Sequence, residues 1–286
     1  MKALKRMVSL FSAVAICSLA SLAWPQTSQP MPAPLPLIVA GSGVNLGITR
    51  FLAKAFMNIH PEITIEVPGS IGTKGAISAV ADGAITFGLI SRPLNADEKS
   101  LGLVVRRYAR TPVVVGVHPM VIDDGITSQE LVDIYKGTKT RWKDGNEIIV
   151  QSREPFDSGI QVLEREIPGF REAHAESWKA KQWTVYFTDQ DANRALSTTR
   201  YAIGFTDLGM IATEHLGIKV LRLNGIIPCP ESLAGGQYPL SRDLSILYRD
   251  ETLPERAKAF LDFIHSEEGD SILRSNGYLS EIRNTP

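Results

Sequence analysis

From residue 37 onward, short apolar runs alternate with stretches whose apolar positions recur every three or four residues. Residues 37–40 form the first run. Ile48, Leu52, Ala55, Phe56 and Ile59 then repeat at helical spacing until Pro61 ends the helix. Residues 63–67 predict a second strand, followed by a glycine-rich turn and a short helix over 76–81. Further strands are predicted at 85–90, 113–117, 148–150, 184–187, 202–205, 220–223 and 244–248. Asn95 with Glu98, and Thr127 with Glu130, have capping-box spacing, and Gly137 closes the second of those helices. An amphipathic helix covers about 254–264. This alternation predicts α/β architecture with largely parallel sheets, and no repeat of fixed period interrupts it.

The N-terminus has another pattern. Lys2, Lys5 and Arg6 precede residues 7–22, which are apolar and uncharged, and Ser21-Leu22-Ala23 offers a cleavage site. Residues 1–23 therefore read as a signal peptide, short for a membrane span and without the Arg-Arg pair of twin-arginine export. The predicted location is the periplasm. Lipid anchoring at Cys17 is the lesser alternative, because Ile16 precedes it where a small residue is usual. After cleavage Cys229 is the single cysteine, which excludes an internal disulfide. Pro25, Pro30, Pro32, Pro34 and Pro36 make residues 24–36 a proline-rich linker.

The formal net charge of −1 gives no reason to expect a nucleic-acid surface, so any positive charge that holds an anion must be local. His60, His118, His174, His215 and His265 are scattered, with no metal-ligand spacing. No G-x-S-x-G elbow occurs, and Cys229 lies between two prolines with nothing beside it to activate a thiolate. The sequence thus predicts no catalytic residue, no metal and no cofactor.

Three strand-to-helix junctions carry the chemistry that remains. They are Gly41-Ser42-Gly43-Val44-Asn45, Gly69-Ser70-Ile71-Gly72-Thr73-Lys74-Gly75, and Arg153-Glu154-Pro155-Phe156-Asp157-Ser158-Gly159. A helix N-terminus exposes free amides and the positive end of its dipole. Glycine lets a ligand approach the backbone, hydroxyls add donors, and Arg supplies a planar fork for an oxyanion. Turns without a ligand have the same composition, but three such loops at the carboxyl ends of strands, two holding Lys74 and Arg153, favour an anion site. A dinucleotide reading fits less well, because Gly41, Gly43 and Gly47 are spaced one residue too far for G-x-G-x-x-G.

These loops resemble those of the phosphate-binding proteins of bacterial phosphate ABC transporters, within the type II periplasmic-binding-protein superfamily. The likeness is carried by Gly41-Ser42-Gly43, Ile71-Gly72-Thr73-Lys74-Gly75, residues 86–94, residues 131–142, Tyr201-Ala202-Ile203-Gly204-Phe205 and Tyr238-Pro239-Leu240. It implies two α/β lobes, each a mixed, mainly parallel sheet flanked by helices, with a ligand cleft between them. Lobe I is then 37–115 plus 225–286, and lobe II is 116–224. The implied ligand is inorganic phosphate, the implied partner an ABC transporter permease, and the implied state a monomer. The implied contacts are Ser42, Gly43 and Val44, then Thr73, then Arg153, Ser158 and Gly159; Lys74 joins the candidate site by its charge. Ser91-Arg92 stands where many members have an aspartate that accepts a phosphate proton, so both join the candidate site. Asp157 is a nearby carboxylate that could take that part. The third loop is one residue longer than usual and has Ile160 where Thr is common. A receptor for sulfate, molybdate or tungstate, and a non-transport sensor or interaction protein on the same fold, are the alternatives.

Overall fold

The computed structural model describes residues 34–281. The signal peptide at 1–23, Cys17 and most of the linker lie outside the described residues.

The chain begins with β1 (Leu37–Gly41), α1 (Gly43–Ile59), β2 (Ile65–Glu66), α2 (Gly72–Ala81), β3 (Phe87–Ile90), α3 (Ala96–Lys99) and β4 (Val104–Val117). It continues with β5 (Gly125–Ile126), α4 (Ser128–Tyr135), β6 (Ile149–Arg153), α5 (Ser158–Glu166), α6 (Phe170–Lys179), β7 (Thr184–Tyr186), α7 (Asp189–Thr198) and β8 (Ala202–Asp207). The last part holds α8 (Leu208–Thr213), β9 (Lys219–Val220), β10 (Arg222–Leu223), α9 (Pro230–Ala234), β11 (Ser241–Tyr248), α10 (Glu255–Ile264), α11 (Glu267–Ser275) and β12 (Leu279–Ser280). Both predicted capping boxes form, at Asn95/Glu98 and at Thr127/Glu130.

The main sheet runs β2-β1-β3-β11-β4-β8-β6-β7, with β9 and β12 also on β4. Its outer ladders are parallel: β2 and β3 flank β1, and β7 and β8 flank β6. Its centre is antiparallel, where β11 pairs with β3 and β4, and β4 with β8. The sheet is therefore mixed, more so at its middle than strand–helix alternation predicts.

Two apolar cores form along it. One packs β1, β3, the first part of β4 and β11 against α1, α10 and α11, with Phe56, Phe87 and Phe260 at its centre. The other packs the last part of β4, β6 and β8 against α4, α5 and α6, with Tyr135, Phe170 and Phe205 in mutual ring contact. Tyr238 and Leu240 belong to the second core, although the sequence reading assigns their segment to the first lobe. Strand β4 serves both cores, pairing through Val104 to Pro112 with β11 and from Val113 onward with β8. The chain passes from one core to the other at Pro112 and returns at Ser241, and those two residues are register partners.

Candidate functional site

Each predicted loop sits at the carboxyl end of its strand and opens a helix. After β1 the backbone turns so tightly that a Cβ on Gly41 would overlap the Leu89 carbonyl of β3. Ser42 N–H donates to that carbonyl at 2.9 Å, which fixes the start of α1. Ser42 is the N-cap residue, yet its side chain makes no capping bond, so the first amides of α1 (Gly43 and Val44) have no side-chain acceptor. In α2 the N-cap residue Ile71 makes no side-chain cap either, although Ser70 Oγ accepts the Gly72 N–H at 3.3 Å. The Ser70 hydroxyl donates to the Gly41 carbonyl at 3.0 Å and ties the second loop to the first.

The hydroxyls converge. Ser91 Oγ, just beyond β3, lies 2.8 Å from Ser42 Oγ, 2.9 Å from Ser158 Oγ and 3.4 Å from Thr73 Oγ1. Ser91 N–H donates to Thr73 Oγ1 at 3.3 Å. Ser42, Thr73, Ser91 and Ser158 thus meet in a cleft of about 930 Å³ that Gly43, Lys74, Arg92 and Arg153 also line. Phe156, 82% exposed, stands at its mouth with Ile71 and Phe187.

Arg153 is 6% exposed. Its Nη2 donates to Asp157 Oδ2 at 2.6 Å, while Nε and Nη1 have no hydrogen-bond partner among the described residues. Unpaired buried donors are uncommon, because each forfeits a hydrogen bond to water. His174 braces the same residue from behind, with Nε2 3.1 Å from the Arg153 carbonyl oxygen and Nδ1 3.2 Å from Glu164.

The remaining predicted residues sit differently. Arg92 commits both Nη atoms to Glu98, at 2.7 Å each, and Nη1 also to the Pro93 carbonyl. Those hydrogen bonds hold Glu98 at about 2, well below the usual carboxylate range. Val44 is fully buried and does not line the cleft, unlike Ser42 and Gly43 before it. Lys74 is exposed on the rim. Gly159 N–H and Ile160 N–H both donate to Asp157 Oδ1, at 2.9 and 3.1 Å, so the Gly159 amide is already engaged. Asp157 caps α5 with Oδ1 and holds Arg153 with Oδ2, so each of its oxygens already accepts a hydrogen bond. Burial pushes Asp157 up, but the Arg153 and Arg242 guanidiniums outweigh it and its pKa lies below the ordinary value.

Three residues of the site lie outside the sequence reading. Arg242, 4% exposed at the start of β11, donates through Nη1 to Ser158 Oγ at 2.9 Å. Its Nε and Nη2 grip the Asp207 carboxylate at the end of β8, and Nη2 lies 3.4 Å from Asp189 Oδ1. Asp207 is fully buried, and that burial pushes its pKa up to about 6 against the pull of Arg242. Asp189 opens α7 and lines the cleft, with Oδ1 3.7 Å from Arg153 Nη2. Its Oδ2 lies over Gly43, 2.5 Å from where a Cβ would stand, and makes no hydrogen bond among the described residues. Arg242 and Asp207 lie far from the loops in sequence and belong to no local motif; only their burial together marks them.

The arrangement offers donors rather than nucleophiles or metal ligands. Among the described residues no group of three or more His, Cys, Asp or Glu side chains could hold a metal ion, and no helix is long and apolar enough to cross a membrane.

Residues 25–268 match the PBP superfamily domain. The phosphate-binding protein PstS of Borreliella burgdorferi is 22% identical over 78% of this chain and 81% of its own length. PstS of Staphylococcus epidermidis is 24% identical over 86% and 78%. Among solved structures, a Clostridium perfringens substrate-binding protein with bound phosphate superposes with a TM-score of 0.75 at 23% identity, covering 86% of this chain and all of its own. An ABC-type phosphate transport receptor from Vibrio cholerae superposes with a TM-score of 0.62 at 23% identity, over 85% and 99%. The fold these structures share is the two-core α/β arrangement described above. By a match that spans most of its length, the chain belongs to the PBP superfamily of solute-binding proteins.

Proposed function

We propose that this protein captures inorganic phosphate outside the inner membrane and delivers it to the permease of an ABC importer. One observation carries the reading: three hydroxyls gather around that of Ser91 beside a buried guanidinium, Arg153, whose Nε and Nη1 lack partners among the described residues. Such a site holds an oxyanion with neutral donors, the uncapped start of α1 and one directed cation, and needs no large net charge. The names of the relatives, PstS in both, support phosphate as the anion.

Ser42, Thr73, Ser91, Ser158 and Arg153 are the side-chain contacts in this reading, with the Gly43 and Val44 amides. Lys74 adds positive charge at the rim, and Arg92 acts through Glu98 to hold the loop after β3. Asp189 is the carboxylate to accept a ligand proton in this reading, because it lines the cleft and its Oδ2 makes no hydrogen bond among the described residues, whereas both Asp157 oxygens already accept one. The lobes would move about the paired crossings at Pro112 and Ser241 and close the cleft over the anion, as a monomer. Export by the N-terminal signal, with cleavage, places the mature protein in the periplasm.

Calorimetric titration of the mature protein with phosphate, sulfate, molybdate and tungstate tests the reading. Phosphate should bind with a micromolar or tighter constant, about −8 kcal/mol or better. Absence of heat with all four anions overturns it.

A further inference from the structure

Arg242 occupies a singular place: the start of β11, one residue past the crossing at Ser241, yet its guanidinium touches α5 and β8 of the second core and the start of α7. We propose that Arg242 is a positioning residue that fixes the direction of the hydroxyl hydrogen bonds in the anion site. The inference rests on the oxyanion reading of the cleft and goes beyond it.

A guanidinium has N–H donors and no acceptor, so in the 2.9 Å contact between Arg242 Nη1 and Ser158 the hydroxyl oxygen must accept. Ser158 has a single proton. With a lone pair held by Arg242, that proton points away from Arg242, toward Ser91 at 2.9 Å or toward a ligand oxygen. Thr73 is held in the same way on the opposite side, because its Oγ1 accepts the Ser91 N–H at 3.3 Å. Two fixed N–H donors therefore turn two freely rotating hydroxyls into directed O–H donors. Asp207 and Asp189 complete the device: they engage Nε and Nη2 and leave Nη1 facing Ser158. A site so oriented suits a ligand that brings several acceptor oxygens, and it lowers the reorganisation needed on binding.

The test is a double-mutant cycle read by phosphate titration. Arg242→Met and Ser158→Ala should each weaken phosphate binding by about 10- to 100-fold, the range for a hydrogen bond to a charged group. In the Ser158→Ala background, Arg242→Met should change affinity by less than about 3-fold, since the group it directs is gone. Arg242→Lys, which keeps a donor, should recover part of the loss. Losses that simply add across the cycle overturn the proposal, as does an unchanged affinity in Arg242→Met. Removing Arg242 leaves Asp207 buried and unpaired. If that variant does not fold, Arg242→Met with Asp207→Asn removes both charges, and the same cycle with Ser158→Ala is run on it. Failure of the wild-type protein to bind any oxyanion would sink the phosphate reading instead, which keeps the two outcomes distinct.

Discussion

Arg153 holds Asp157 through one nitrogen, Nη2 to Oδ2 at 2.6 Å, and keeps its other two without partners among the described residues. The pairing sets the guanidinium plane while leaving a fork directed elsewhere. The Asp157 and Asp189 carboxylates overcome the effect of burial and keep the Arg153 pKa above its ordinary value. Arg153→Ala should weaken phosphate binding by at least tenfold, taking a charged hydrogen bond at roughly 1.5–3 kcal/mol. Calorimetry reads this directly, and an unchanged constant removes Arg153 from the site.

Asp189 has one oxygen near both arginines and another, over Gly43, without a hydrogen bond. A carboxylate accepts a proton from hydrogen phosphate but repels sulfate, which has none to give. Asp189→Asn should therefore narrow the preference for phosphate over sulfate by about tenfold or more. Competition titration measures the ratio, and an unaltered ratio assigns the discrimination elsewhere.

Gly43 is required by its neighbour across the cleft. An alanine there would place Cβ 2.5 Å from Asp189 Oδ2 and 2.8 Å from Gln190 Oε1. Both are side-chain atoms, so the start of α7 shifts rather than the sheet. Gly43→Ala should keep the circular dichroism spectrum of the wild type and lose oxyanion affinity. A variant that binds as tightly as the wild type shows that this approach is dispensable.

The pairing of Arg92 with Glu98 makes stability depend on acid. Hydrogen bonds from Arg92 lower the folded-state value of Glu98 to about 2, against an ordinary value of 4.5. The folded state then prefers the ionised form. The contribution is full above about pH 4.5 and is lost as pH falls toward 2. Glu98→Gln should cost about 1–2 kcal/mol near neutral pH, for an ion pair that also serves a capping box. The gap from wild type should close between pH 5 and 2 in denaturant titrations. A gap that is constant with pH contradicts the assignment.

What could be read in the sequence was whatever is local. Gly41 and Ser42, Thr73, and Arg153 with Ser158 declare themselves because glycine, hydroxyl and arginine fall together at strand ends. The Asn95/Glu98 and Thr127/Glu130 boxes are equally local, and both form. The first half of β4 escapes because Arg106, Arg107 and Arg110 break its apolar alternation. Two of them are neutralised from distant sequence, as Arg107 and Arg110 pair with Asp243 and Glu281. Helix α7 is missed because its buried side is only Ala192, Asn193 and Leu196. Arg242 is the largest omission in the site. In its own segment it is one charged residue between Ser241 and Asp243, and nothing there signals that Asp207, Asp189 and Ser158 surround it.

The pairing of Pro112 with Ser241 also constrains how the chain acquires its shape. The first half of β4 cannot zip to β11 until the whole intervening segment has been drawn together, and an unstructured loop of that length is slow to close. If residues 113–240 collapse first around Tyr135, Phe170 and Phe205, their ends emerge side by side. Closure then becomes a local event. The order of assembly that follows is inside-out: the middle of the chain leads, and β11 then slots between β3 and β4.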